Sequence, residues 1–563
     1  MRFTHRPRPP RPRRAPRRGL RAAAGCALAA ALLLAGCSAN PSFGRDSGTL
    51  VIGAEGEIPP LDPHRMSGTV GLRIVDALYD PLIREDLSAR TDRAPALRPG
   101  LAESWKSASD ARSYTLELRE GVTFADGARL DADAVKLNFD RIMDEDSPVH
   151  DATAAGNMTF LTRWIERVEV TGPYRLTLRL SEPYRLTLRL SEPYAGLPRL
   201  LTDRRMSIVS PKALNAGKPD DIGLHPVGTG PFTQRAADHG RRITLERNTG
   251  YWGGEPRTPT IVVESVTDPT TLAIAAETGE VDAILSAGAQ QVHQLTHDDA
   301  MSVQYPDAAN QYFLRLNARI APTDDPEFRQ ALNYAVDRKA IATLTQGQVA
   351  PSTGPLPRGN EAYDEAAAET DGAGSSPYTY DPERARQLIR ESGVETPVRI
   401  TLLAPDSGPG FSQATEIMAL LEQDLKAVGV SLKVRYMEFA SLVAEEGNGY
   451  DDRTHGSFNG WTTGADAADF LERMFSGQAH PPAGVNRGWY ANDEVDALFD
   501  RARGEPDTAS RMGLYRQAAD EIAADAPWVF LYQDRLPRLL AGKVGGVAPA
   551  ASVYVDYTTI RRR

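Results

Sequence analysis

The amino-acid sequence predicts a mixed α/β fold divided into more than one packed unit. At 563 residues, the chain is too long for one ordinary hydrophobic core. Strand-like runs alternate with helical patterns, and residues 398–436 show a strand, a helix and a second strand in succession. The composition, with 41% hydrophobic and 25% charged residues, excludes a wholly disordered chain, a collagen-like fibre and a multi-span membrane protein.

The first predicted strands and the first predicted helix lie in the N-terminal half of the chain. Residues 49–53 are a short apolar run ending in glycine, which predicts a strand, and residues 114–119 alternate as a half-exposed strand does. Asp131 is placed to cap a helix. The apolar residues of that helix share one face, namely Val135, Phe139 and Ile142.

The C-terminal half contains a predicted βαβ unit. Residues 398–403 read as a strand, and residues 412–427 read as a helix with one apolar face. Gly429 ends that helix, and residues 430–436 read as the second strand. Strands joined in this way pair in parallel. The Asp-Pro pair at 381–382 opens another helix.

The formal charge of −11 conceals an uneven distribution. Residues 1–36 hold nine arginines and no acidic residue, so removing those nine positive charges from −11 leaves −20 for the rest. A body this acidic repels phosphate backbones, and nucleic acid is therefore not an expected partner.

Residues 1–36 have the pattern of a secretory signal peptide. Their arginine-rich start precedes a short apolar stretch, which is too short for a permanent membrane span. The stretch ends in Leu-Ala-Gly-Cys at 34–37, which resembles the lipobox of bacterial lipoproteins. The resemblance implies cleavage before Cys37, a lipid on its sulfur, and a tether over residues 37–48; the alternative is a buried free cysteine beside a short helix. Paired arginines leave Sec and twin-arginine export both open.

No catalytic or metal-binding constellation is evident in the sequence. The chain has no Gly-x-Ser-x-Gly elbow, no Walker loop and no Gly-x-Gly-x-x-Gly after a strand. His293 and His297 are four residues apart, but Gln294 stands where a zincin needs glutamate, so a solvated helix face is the better interpretation. Cys26 leaves with the signal peptide, which excludes a disulfide. We therefore predict no enzymatic activity, no cofactor and no metal.

Several segments together resemble the extracellular solute-binding proteins of family 5, the peptide/nickel family that serves ABC importers. The Pro-Val-Gly-Thr-Gly-Pro-Phe segment at 226–232 is the most specific of them. The matching segments occur in order at residues 59–64, 78–82, 97–105, 121–127, 226–232, 248–254, 279–282, 328–338 and 380–388.

The resemblance implies a two-lobed, periplasmic-binding-protein-like α/β fold with an extra subdomain and a ligand cleft between the lobes. The expected boundaries are a signal peptide 1–36, a tether 37–48, lobe I at 49–90, 211–310 and 534–563, the extra subdomain (lobe II) at 91–210, and lobe III at 311–533.

The resemblance also indicates candidate ligand-binding residues. Peptide-binding members carry an aspartate three residues after a cleft tryptophan, but the third residue after Trp461 is Gly464. Asp466 or Asp469 then supplies the carboxylate after a local shift, or Asp469 only caps a helix over 470–475. Trp461 lies in the cleft or in a plain core. The remaining candidates of the predicted site are Asn459, Gly460 and Glu55, the last of which faces the cleft or is a turn residue.

The resulting prediction is the substrate-binding lipoprotein of an ABC importer. It would capture oligopeptides or similar small solutes by hinge closure and deliver them to a permease and ATPase complex. The alternatives are a nickel-chelator or other non-peptide solute, a secreted lipid-anchored hydrolase, and an adhesin or peptidoglycan-associated scaffold. The expected location is the extracytoplasmic face of the cell membrane, held by a lipid anchor, in a Gram-positive bacterium of high GC content.

One decamer occurs twice, at residues 173–182 and again at 183–192. Such identity indicates a recent duplication or a sequence-assembly artefact. Either copy can take the same strand position, because a shift of ten residues keeps each side chain on its face. Pro183 prevents one long central strand, so we expect a hairpin or a looped-out copy on the surface, away from the cleft.

Overall fold

Two large mixed β-sheets dominate the computed structural model, which describes residues 48–563 apart from 67, 89–93, 171–184, 298–300, 307–309, 364–377, 408–410, 412, 448, 463–464 and 482–483. Every element named below belongs to the unit Thr49–Arg563.

The strands of this unit are β1 Thr49–Ala54, β2 Ile83–Glu85, β3 Leu97–Pro99, β4 Ala102–Ser107, β5 Ser113–Leu118, β6 Ile165–Val170, β7 Arg185–Leu190, β8 Phe232–Asp238, β9 Arg242–Arg247, β10 Thr260–Ser265, β11 Ala283–Ile284, β12 Met301–Gln304, β13 Asn310–Leu316, β14 Val349–Pro351, β15 Val398–Ser407, β16 Val430–Glu438, β17 Gly456–Thr462, β18 Trp528–Asp534, β19 Arg538–Ala541, β20 Val544–Gly545 and β21 Arg561–Arg562. The helices are α1 Thr69–Leu78, α2 Ala132–Met143, α3 Ala152–Thr162, α4 Leu197–Leu200, α5 Pro211–Asn215, α6 Pro219–Leu224, α7 Pro269–Glu277, α8 Ala289–His297, α9 Pro326–Tyr334, α10 Arg338–Leu344, α11 Pro382–Glu391, α12 Ala414–Ala427, α13 Phe439–Gly447, α14 Ala467–Phe475, α15 Asp493–Gly504 and α16 Thr508–Asp525.

The seven-stranded sheet has the order β12-β19-β11-β1-β10-β9-β8. Its strand β1 confirms the strand predicted at 49–53 and pairs in parallel with β10 and β11. Leu50 and Ile52 pack on one face of the sheet, and Val51 packs on the other. Both faces are therefore buried, which explains why this strand is a continuous apolar run.

The six-stranded sheet has the order β14-β18-β13-β17-β15-β16 and contains the predicted βαβ unit. β15 and β16 pair in parallel, starting with Val398 opposite Val430. The connecting helix α12 buries Ile417, Leu421 and Leu425 against the sheet. The prediction for residues 398–436 is thus confirmed, and its cause is the apolar face of the helix.

The chain passes between the two large sheets twice, after β12 and after β18. The second passage is short, since β18 ends at Asp534 and β19 begins at Arg538. Leu536, within it, has a left-handed backbone with φ of 45°. The Asn310 side-chain amide donates to the carbonyl oxygen of Asp534 at 2.8 Å, and the Asp534 N–H donates to Asn310 Oδ1 at 2.7 Å. These two hydrogen bonds tie the start of β13 to the end of β18, where both connections enter or leave the six-stranded sheet.

A four-stranded antiparallel sheet, ordered β4-β5-β7-β6, includes the second copy of the repeated decamer. In that copy, β7 lies between β5 and β6, with Leu188 and Leu190 buried and Arg189 exposed. The first copy, 173–182, lies outside the described residues. The expected hairpin or looped-out copy therefore stays a prediction.

Three of the segments that resemble family 5 meet at Asp80, whose side chain is fully buried. Asp80 accepts hydrogen bonds from Thr229 Oγ1 at 3.0 Å, from the Tyr251 hydroxyl at 3.0 Å and from Trp252 Nε1 at 2.8 Å. The guanidinium of Arg84 lies 3.4 Å from the same carboxylate. These segments therefore hold the fold together at a satisfied buried carboxylate.

Two predicted helix starts have different outcomes. Asp131 caps α2 as predicted, since its side chain accepts the N–H of Ala134 at 2.8 Å. The alternative in which Asp469 only caps a helix over 470–475 is wrong, because α14 begins at Ala467. Asp466 is the cap, and it accepts the N–H of Asp469 at 2.9 Å. None of the helices described above is long and apolar enough to cross a bilayer.

Candidate functional site

A cavity of about 270 Å³ lies where three parts of the fold meet. Its first wall is the start of α1 together with residues 551–554, and its second wall combines Leu161 with residues between 199 and 205. Its third wall is Gly359 with residues at the start of α14. Because α1 follows the seven-stranded sheet and α14 follows the six-stranded sheet, the cavity lies between elements attached to different sheets.

Asp466, one of the predicted site residues, lines this cavity and is 5% exposed. Oδ1 is used by the helix cap, and Oδ2 accepts the hydroxyl of Tyr194 at 3.2 Å. Burial raises the pKa of Asp466 to about 8, and the negative charge of Glu361 acts in the same direction. Capping the helix does not require a buried carboxyl group at this position, because asparagine or serine would cap it equally well.

Among the residues that the structure describes, Asp466 forms no ion pair, although the more distant positive charge of Arg199 acts against the rise of its pKa. The ion pairs formed by the other charged side chains of the cavity are Arg199 with Glu361 at 3.2 Å, Glu85 with Arg204 at 3.6 Å, Arg205 with Asp203 at 2.5 Å, and Asp469 with Arg473 at 3.0 Å. The raised pKa of Asp466 keeps its carboxyl group mainly protonated near pH 7. A ligand ammonium group beside it would stabilise the ionised form.

The neighbouring candidates on β17 lie outside the lining of this cavity. Asn459 is buried, and its side-chain amide donates to Glu446 Oε2 at 2.8 Å. Gly460 lies against the ring of Tyr312, where an added Cβ would come within 2.6 Å of ring carbons. Both positions serve packing in the six-stranded sheet.

Trp461 is half-buried and covered by a cation. The Arg473 guanidinium lies 5.2 Å from its ring centroid and 4.6 Å from that of Phe160 on α3. The indole Nε1 of Trp461 is buried with no hydrogen-bond partner in the described part of the chain. Trp461 is not among the residues that line the cavity, and Arg473, which covers its ring, pairs with the lining residue Asp469 at 3.0 Å.

Glu55, the remaining candidate that the structure describes, does not line the cavity. Glu55 follows β1 and is exposed. Cys37, the signal peptide and Gly464 lie outside the described residues. In the described ranges, no group of three or more His, Cys, Asp and Glu side chains is arranged to hold a metal ion.

Sequence reasoning missed the wall that faces Asp466. Tyr194 is fully buried and stacks on Trp164 with ring centroids 4.6 Å apart, which fixes its hydroxyl toward Asp466. Arg199 is held by Glu361 and donates to the carbonyl oxygen of Pro95 at 2.8 Å. No motif or periodicity marks these residues, because their partners are distant in sequence.

Comparison with known families decides what kind of cleft this is. The model of the family described as bacterial extracellular solute-binding proteins, family 5 (middle region), matches residues 96–481, more than half of the chain. The chain belongs to this family. The resemblance found in the sequence is thereby confirmed, and family 5 membership makes the protein a solute-binding protein.

Relatives of this family 5 protein align with it over nearly its whole length. The glutathione-binding protein GsiB of Pectobacterium atrosepticum is 29% identical over 92% of this chain and 95% of that protein. The structure of HbpA2 from Haemophilus parasuis matches with a TM-score of 0.79 and 22% identity, over 92% of this chain and 100% of that one. The ABC transporter-associated periplasmic binding protein DppA of Helicobacter pylori, in complex with the peptide STSA, has a TM-score of 0.73 and 22% identity, covering 92% and 98%. The predicted two-lobed binding-protein fold is confirmed.

Proposed function

We propose that this protein is the substrate-binding component of an ABC importer and captures small peptides or related solutes that carry an ammonium group. The observation that carries the proposal is Asp466, a buried carboxyl group that lines the cavity and forms no ion pair in the described structure. The glutathione-binding and peptide-bound relatives support it, since glutathione and peptides both carry an ammonium group.

Capture by hinge closure follows from the position of the cavity. Its walls belong to elements on both large sheets, and the two connections joined by Asn310 and Asp534 allow the sheets to move relative to each other. A solute that touches all three walls stabilises the closed form, which then docks on a permease.

The proposal is tested by native mass spectrometry of the purified protein, followed by calorimetric titration with trialanine, glutathione and a nickel–histidine complex. Binding of either peptide with one solute per chain supports the proposal. Binding of the nickel complex alone would favour the non-peptide alternative. Recovery of cleaved peptide would indicate a hydrolase, and absence of any ligand or thermal shift would favour a scaffold.

The anchor is part of the same proposal, with Cys37 lipidated on the extracytoplasmic face of the membrane. Two or more acyl chains suffice for stable membrane attachment. The variant Cys37→Ala should therefore be recovered as unprocessed or soluble protein in cell fractionation, whereas Cys26→Ala, within the signal peptide, should remain membrane-bound. Retention of Cys37→Ala on membranes through detergent-free washes would contradict the anchor. The GsiB relative named above comes from a Gram-negative bacterium, and the Gram-positive origin stays a prediction.

A further inference from the structure

The wall segment of the cavity, residues 551–554, lies outside the β-sheets. It follows β20 and precedes β21, and the described chain between these two strands contains no further strand. Its own backbone contacts are local. The N–H of Ser552 donates to the carbonyl oxygen of Ala550 at 2.8 Å, and the N–H of Tyr554 donates to Ser552 Oγ at 3.2 Å. Side chains from other elements must therefore hold this segment in place.

Two buried arginines bind the backbone of the wall segment. The guanidinium of Arg538, on β19, donates to the carbonyl oxygen of Ser552 and to that of Tyr554, the latter at 3.0 Å. Arg73 Nε, on α1, donates to the carbonyl oxygen of Val553 at 2.8 Å. Three consecutive carbonyl groups of the wall segment are thus bound by arginines from two separate elements.

Neither arginine forms an ion pair with a residue that the structure describes. Arg73 is 6% exposed and Arg538 is 1% exposed, and Arg73 Nη2 and Arg538 Nε are buried without a hydrogen-bond partner in that part of the chain. Burial lowers the pKa of Arg73 to about 10 and that of Arg538 to about 9, and the charge of Arg73 acts in the same direction on Arg538. Because two buried like charges reduce stability, filling space in the core does not account for them. The carbonyl groups that they bind are those of the cavity wall.

We propose that Arg73 and Arg538 are positioning residues that fix the wall segment in the conformation that binds the solute. Thr69 and Leu72, close to Arg73 on α1, line the cavity themselves, so Arg73 joins the two parts of this wall. A segment that is already fixed does not have to be ordered when the solute arrives. Ordering the backbone of a single residue on binding would weaken the affinity about 10-fold. This inference rests on the proposed function, because it takes the cavity to be the solute site.

The test measures trialanine affinity by calorimetric titration at pH 7, together with the amide hydrogen exchange of residues 548–555 in the ligand-free protein. Arg73→Met should bind trialanine about 10-fold more weakly than the wild type, because the wall segment must then be ordered on binding. Residues 548–555 should exchange faster in this variant and regain protection when trialanine is saturating. Arg73→Lys keeps one charged donor near Val553 and should recover part of the affinity.

Arg538→Lys is the second variant. In it, a single ammonium group replaces a guanidinium that serves the carbonyl groups of both Ser552 and Tyr554. It should show the same two changes as Arg73→Met, namely weaker trialanine binding and faster exchange at residues 548–555.

Arg338→Met is the matched control. Arg338 is also buried, and its Nε donates to the carbonyl oxygens of Ser352 at 2.9 Å and Phe530 at 2.7 Å, but none of these three residues lines the cavity. The control should speed exchange in β18, which contains Phe530, and should leave the affinity of the folded protein for trialanine unchanged.

The outcomes separate this inference from the proposed function. Unchanged trialanine affinity in Arg73→Met or in Arg538→Lys would overturn the inference for that arginine, while peptide capture would stand. A loss of affinity without faster exchange at residues 548–555 would overturn it as well, since the wall segment would not have been released. If the wild type bound neither trialanine nor glutathione, the proposed function would be rejected, and this inference with it.

Discussion

Asp466→Asn is expected to weaken the binding of trialanine at pH 8 about 30-fold, a loss of about 2 kcal/mol. The same variant is expected to melt at a higher temperature than the wild type when both are free of ligand. Asparagine keeps the shape of the side chain and can still accept the N–H of Asp469, so the cap of α14 is retained. The loss of binding would therefore report the missing charge.

The stability gain follows from the raised pKa of Asp466. Its folded-state pKa of about 8 exceeds the ordinary aspartate value of 3.8, so the folded protein holds this proton more tightly than the unfolded chain. The corresponding stabilisation is complete below pH 4 and is lost as the pH rises toward 8. Asparagine has no such dependence. The variant should thus match the wild type near pH 4 and melt at a higher temperature at pH 8, because only the wild type loses this stabilisation as the pH rises.

Scanning calorimetry from pH 4 to pH 8 measures this difference, with Asp452→Asn as the control because Asp452 is an exposed carboxylate. The control should track the wild type at every pH. Titration of trialanine in buffers of different ionisation enthalpy adds a second readout. The wild type should release up to one proton per bound peptide near pH 7, and Asp466→Asn should release none. A pH-independent stability difference would show that Asp466 is ionised in the unliganded protein.

Local patterns predicted the elements that depend on neighbouring residues. The βαβ unit at 398–436 and the cap at Asp131 follow from periodicity and from contacts within a few positions. The cap of α14 shows the limit of such patterns. Asp466 and Asp469 are three residues apart and both precede apolar residues, so the sequence fits either start, whereas the structure selects Asp466.

The facing wall of the site could not be predicted in this way. Tyr194 meets Asp466 across 272 positions, and Arg199 meets Glu361 across 162. Such contacts arise only when separate units pack, and one sequence carries no local sign of them. The segments that resemble family 5 could be identified because each is a short motif within the sequence, and three of them meet at one structural junction at Asp80.

That junction gives the largest stability effect that we expect, for Gly230→Ala. The segment at 226–232 runs directly against the end of α1, and the N–H of Gly230 donates to the carbonyl oxygen of Leu78 at 3.1 Å. A Cβ at residue 230 would stand 2.6 Å from that carbonyl oxygen and 2.6 Å from the amide nitrogen of Tyr79. Both are backbone atoms, so a side-chain rotation cannot relieve the overlap.

We expect Gly230→Ala to destabilise the protein by about 3 kcal/mol or more. The loop segment that carries Thr229 must then move away from Asp80. Displacing Thr229 also removes a hydrogen bond from a fully buried carboxylate, which adds to the cost. Gly250→Ala is the matched control, since an added Cβ there meets only Asn248 Oδ1 at 3.6 Å, an ordinary contact. Denaturant unfolding followed by circular dichroism should show a large loss for Gly230→Ala and little change for Gly250→Ala. Equal stability of the two variants would mean that the backbone around Asp80 shifts at little cost in free energy. Close packing would then not be the reason for a glycine at position 230.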